Sequence, residues 1–124
     1  MHQPDEAELL RIYVGETDKH GHQPLYEAIV LAARRRGVAG ATVLRGIMGL
    51  GADGRLHAAK ILHLTENLPL VIEIVDRPDR IAGLLTDIDG MMAEGLITLE
   101  RVRVLAYRHG GSRLSAEMRE GTSP

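Results

Sequence analysis

The residues best suited to hold a ligand lie in and beside a long glycine-bearing stretch, residues 49–67, between two apolar runs. Glycines at 49, 51 and 54 allow backbone N–H groups to converge on an anion, because no Cβ intervenes and both signs of φ are open to them. Arg55 and Lys60 within the stretch, and Arg45 just before it, bring positive charge. Arg45, Gly49, Gly51, Arg55 and Lys60 are therefore the candidate ligand-binding residues, and the ligand they suit is a small anion. A connection of this length inside a compact domain is usually functional or disordered; the plain alternative is a flexible hairpin.

Other chemistry is poorly supported. The run Gly49-Leu50-Gly51-Ala52-Asp53-Gly54 matches G-x-G-x-x-G, with Glu73 further on, but the motif needs a first strand, a following helix and a larger parallel sheet. A phosphate loop needs Lys and then Ser or Thr after its last glycine, and here Arg55 follows Gly54. His20, His22, His57 and His63 lack a cysteine or a helical i, i+4 pair, so solvated histidines outweigh a metal site. Residues 17–23 lead into a helix whose free N–H groups suit a phosphate or carboxylate, with Lys19, His20 and His22 near; a polar helix cap reads equally well. With no cysteine and no Gly-x-Ser-x-Gly elbow, no catalytic constellation emerges. The chain reads as a non-enzyme with no catalytic residues and no resident cofactor.

The composition sets the scale. A chain of 124 residues makes one domain, and with no Phe or Trp and only three Tyr its core must be aliphatic. A thin core favours association of identical subunits as a second source of stability. A net charge of -2 gives no sign of a nucleic-acid partner. The three arginines at 34–36 are read as complementing a helix dipole. No run approaches about 18 apolar residues and no leader is evident, so a cytoplasmic location is expected.

Six patterns must position the candidate residues. Residues 9–14 alternate as a strand, and residues 24–36 have helical spacing, with Pro24 in the first turn and Gly37 as the stop. Residues 42–48 read as a second strand, and residues 68–75 as a central strand apolar on both faces. Asp76 is the expected cap of a second helix with Pro78 and Asp79 in its first turn, Ile81, Leu84, Leu85, Ile88, Met91 and Met92 in one stripe, and Gly95 ending it. A last strand is expected over residues 102–107, with a short extended piece at 97–99 before it. Met48, Met91 and Met92 are assigned to packing. The order gives an α+β, ferredoxin-like βαββαβ sandwich with both helices on one face of an antiparallel sheet. The domain is expected over residues 9–108, between a flexible N-terminus (1–8) and a flexible tail (109–124).

In Leu10-Arg11-Ile12-Tyr13-Val14-Gly15-Glu16, Pro24-Leu25-Tyr26-Glu27-Ala28-Ile29 and Gly40-Ala41-Thr42-Val43-Leu44-Arg45-Gly46 the chain resembles the PII-like family catalogued as domain of unknown function 190. The resemblance continues through residues 49–57, 68–76 and 94–99. It implies a homotrimer with sheets lining the interior, and a long loop that is the counterpart of the PII signalling loop. PII relatives bind adenine nucleotides in clefts between subunits and control a transporter or enzyme, so the resemblance makes an adenine nucleotide the candidate anion and a membrane transporter or channel the candidate partner of a regulatory protein. A metal-binding trimer of the divalent-ion tolerance type, which shares the fold, is the alternative.

Overall fold

The computed structural model describes residues 6–58, 67–109 and 112–113. Its elements run β1 (Glu6–Gly15), β2 (Lys19–His20), β3 (Gln23–Pro24), α1 (Leu25–Arg35), β4 (Thr42–Arg45), β5 (Met48–Leu50), β6 (Leu56–Ala58), β7 (Pro69–Asp76), α2 (Pro78–Asp89), β8 (Leu96–Arg103), β9 (Arg108–His109) and β10 (Ser112–Arg113). Four strands form one sheet in the order β4-β7-β1-β8, every neighbouring pair antiparallel. This is the ferredoxin-like arrangement, in which the two halves interleave.

Alternation in β1 decides which face is covered. Ile12 lies opposite Ile72 on one side and Ile97 on the other, and Leu10 opposite Ile74 and Leu99. Onto that face α1 packs Leu25, Ile29, Ala32 and Ala33, while α2 packs Ile81, Leu84 and Ile88, so the buried cluster is aliphatic, with Tyr26, Met91 and Met92 packed at its margin. Each fully buried Leu or Ile stabilises the fold by about 1.5–3 kcal/mol. α1 ends at Gly37, whose φ of 71° a residue with a Cβ adopts at a cost. Arg34 and Arg35 occupy the last turn, where they complement the helix dipole.

Among the described residues, no helix covers the other face of the sheet. Leu9, Tyr13, Val71, Val75, Leu44 and Leu96 belong to it by register, and Tyr13, Leu44, Val75 and Leu96 are exposed. At its centre Arg11 donates from Nε to Glu73 (3.0 Å) and from Nη1 to Glu100 (2.8 Å), bridging three strands. These hydrogen bonds, that to Glu73 first, raise the Arg11 pKa further above its ordinary value.

Several expected boundaries are corrected. The last strand of the main sheet is Leu96–Arg103, not 102–107, because Ile97 and Leu99 pair with β1. Asp76 does not cap α2: it ends β7, buried, and its carboxylate accepts from the Ala39 N–H at 2.7 Å and the Arg77 N–H at 2.7 Å, leaving Arg77 at the N-cap. Pro24 is the N-cap of α1 rather than a first-turn residue. α2 stops at Asp89, although Met91 and Met92 still pack on the core. β4 closes at Arg45, and Met48, expected in packing, is exposed in a separate strand.

Candidate functional site

Two successive glycines lie against one proline where the chain leaves the main sheet. A Cβ on Gly46 would meet Cγ of Pro69 at 2.8 Å, and one on Gly49 would meet the same atom at 2.7 Å. Neither position has room for a side chain, since real Cβ atoms do not come within 3.0 Å of such neighbours. Gly46 also donates its N–H to the Pro69 carbonyl at 2.7 Å. Gly49 is thus required for close approach to Pro69.

Beyond this clasp, β5 and β6 pair as a hairpin with Met48 opposite Ala58, Gly49 opposite His57 and Leu50 opposite Leu56. Period-two alternation puts Gly49 and His57 on the face toward Pro69, and Met48, Leu50, Leu56 and Ala58 on the other. That second face is exposed: Leu50 and Leu56 each keep 69% of their surface.

At the tip the Gly51 N–H donates to the Arg55 carbonyl (3.4 Å), the Gly54 N–H to the Gly51 carbonyl (3.0 Å) and the Arg55 N–H to Asp53 Oδ1 (2.9 Å). The Gly51, Gly54 and Arg55 amides are therefore engaged within the turn. Arg55 sits at the tip and Arg45 at the base, separated by a three-residue strand of roughly 10 Å. Of the five candidate residues the structure groups Arg45 and Gly49 at the base and Gly51 and Arg55 at the tip; Lys60 lies outside the described residues.

The base has partners that spacing did not reveal. Arg45 Nη2 pairs with Glu16 Oε2; the Arg45 side chain is 62% exposed and that of Glu16 25%. Glu16 is held by its backbone, its N–H donating to the Leu68 carbonyl at 2.8 Å. Next to it the Thr17 N–H donates to Asn67 Oδ1 (2.8 Å) and the Gly15 N–H to Asp18 Oδ2 (2.8 Å). A Cβ on Gly15 would stand 2.6 Å from the Asn67 amide, so a side chain there would push Asn67 off its bond to Thr17. Residues 29 positions apart, Glu16 and Arg45 leave no local signal in the sequence.

His20 and His22 are exposed at the β2–β3 turn, His57 is on the hairpin, and His63 lies outside the described residues. Among the described residues no group of three or more His, Cys, Asp or Glu could hold a metal ion. No helix among them is long and apolar enough to cross a membrane.

Residues 7–104 match the model of the family DUF190, described as Uncharacterized ACR. A UPF0166 protein of Aquifex aeolicus is 39% identical over 100 residues, covering 81% of this chain and 94% of that one. Among solved structures the fold is similar to CPII, a nitrogen regulatory PII-like protein from Thiomonas intermedia K12 bound to ADP, AMP and bicarbonate, with a TM-score of 0.59 and 19% identity over 80% of this chain and 88% of the other. It is also similar to the divalent ion tolerance protein CutA1 from Ehrlichia chaffeensis, with a TM-score of 0.53 and 11% identity over 100% of this chain and 99% of the other. The fold expected from the sequence, ferredoxin-like and shared by PII-like proteins and CutA1, is the one observed.

Proposed function

We propose that this chain, which belongs to the DUF190 family, is a PII-like regulatory protein rather than an enzyme. It takes a small anionic ligand, an adenine nucleotide, at the base of the β5–β6 hairpin and presents that hairpin to a partner protein. The subunits close into a homotrimer through the uncovered sheet face, and the ligand sits between them. The partner is a membrane transporter or channel.

One observation carries the reading. An exposed guanidinium, Arg45, stands where the main sheet hands over to a projecting hairpin whose outer face is apolar. A charge that an anion can recruit is thus next to a surface that a protein can bind. The ADP and AMP in the CPII structure lend support at the level of the fold. The apolar residues of the bare sheet face support self-association, since exposed apolar patches of this kind mark interaction surfaces.

A thermal-shift panel of nucleotides tests the proposal. A ligand at a hundred times its Kd adds about 2.7 kcal/mol, and each kcal/mol moves the midpoint by roughly 3–6 °C in a domain of this size. A shift of roughly 10 °C is expected with ADP or ATP, and Arg45→Ala is expected to abolish it. A flat response across the panel, or an equal response in Arg45→Ala, refutes the anion site.

A further inference from the structure

Arg45 is occupied by a carboxylate of its own chain. We propose that Glu16 competes with the anionic ligand for Arg45, so that binding requires a ligand of high negative charge and releases a tether between the β1 corner and the hairpin. This rests on the reading of Arg45 as the ligand's cation.

The two partners are unequally held. Glu16 follows directly on β1, and its backbone is fixed by the Leu68 carbonyl, with the Asn67 and Asp18 side chains bonding the residues on either side. Arg45 ends β4, just before the Gly46–Pro69 clasp, and its side chain is mostly in solvent. Of the two it is the guanidinium, long and exposed, that can swing away. An anion that draws Arg45 off leaves the Glu16 carboxylate, on a residue whose backbone is held, beside the site, where it repels a bound anion. A phosphate chain carrying two or more charges can outweigh one carboxylate. A monoanion of the carboxylate's own charge gains nothing from the exchange. Glu16 therefore acts as a threshold for ligand charge.

The pair also couples ligand to shape. It joins the turn after β1 to the residue that precedes the hairpin. When Arg45 leaves, that link is broken while the Pro69 clasp remains, so the hairpin keeps its root and loses one restraint.

The experiment uses the full chain and its Glu16→Gln variant, with ADP as the probe. Exposed ion pairs of this type are worth little individually, so calorimetry should show ADP binding tightened by about two- to ten-fold, counting the lost repulsion, a change well within the resolution of the method. Amide exchange without ligand should be faster in Glu16→Gln over residues 46–50, resembling the ADP-bound native chain. The exchanged pair, Glu16→Arg with Arg45→Glu, should restore slow exchange without restoring ADP binding. If the native chain binds ADP and Glu16→Gln binds it equally or more weakly, the competition is overturned. Unchanged ligand-free exchange in Glu16→Gln overturns the tether. Binding by neither protein overturns the functional reading itself and the inference with it, whereas binding by Glu16→Gln alone supports a site masked by Glu16.

Discussion

Arg36, at the end of α1, and Asp87, on α2, meet through two parallel hydrogen bonds, Nε to Oδ2 at 2.7 Å and Nη2 to Oδ1 at 2.9 Å. The guanidinium lies across Gly83, where a Cβ would stand 3.1 Å from Nη1, so a small residue on α2 makes room for it. The hydrogen bond from Arg36 lowers the Asp87 pKa below its ordinary value, and the Arg36 pKa rises correspondingly.

The sign of the pH effect follows. A carboxyl with a depressed folded-state pKa contributes stability above its unfolded value, which is lost as pH falls through the folded one. Asp87→Asn should therefore lower the thermal midpoint at pH 7, and its difference from the native chain should close as pH falls below about 4. A difference that persists unchanged at acid pH would show that the pair's charge is not responsible.

Asp76 is the buried acid whose removal should cost most. It accepts N–H bonds from Ala39 and Arg77, and Arg80 Nη1 is 3.9 Å from it. Asp76→Ala strands both donors and is expected to lower stability by about 2–4 kcal/mol in urea unfolding. Asp76→Asn, which keeps one acceptor, should cost less. Equal losses for the two would point to packing rather than acceptance.

Gly49→Ala brings a methyl group against the Pro69 ring and should cost about 1–3 kcal/mol, with faster amide exchange in residues 48–58. Pro69→Ala in the same chain should recover part of the loss, giving a favourable coupling in the double-mutant cycle. Strict additivity would dismiss the clasp.

The sheet face that no described helix covers predicts self-association. Light scattering at micromolar concentration should give the mass of a trimer, and Leu96→Glu should reduce it while leaving the circular dichroism of the fold intact. A native chain that scatters as a monomer rules the assembly out.

Legibility in the sequence followed the reach of each interaction. β1, α1 and β7 carry their own periodicity and were readable within a few residues at each end. The last strand was not, because residues 96–99 and 102–106 alternate equally well; Ile12 and Leu10, almost ninety positions earlier, select Ile97 and Leu99. Asp76 has the right residue type for a cap, but the Ala39 N–H, which comes from another loop, claims its carboxylate. The hairpin is legible only as the plain alternative for residues 49–67 and its two strands are not, because they have three residues each, although Asp53-Gly54 between two leucines is a hairpin signal. At the candidate site Arg45 and Gly49 were named, yet the reason for Gly49 is Pro69 and the partner of Arg45 is Glu16, and both are facts of tertiary structure.

Because Gly46 and Gly49 close on the Pro69 ring at the root of the hairpin, the direction in which the arm points is determined before its tip begins. The direction of the arm and the composition of its tip are then set by separate parts of the sequence. A turn of similar length in place of residues 50–56 would be delivered along the same line, so arms of different composition can be carried by one unaltered socket.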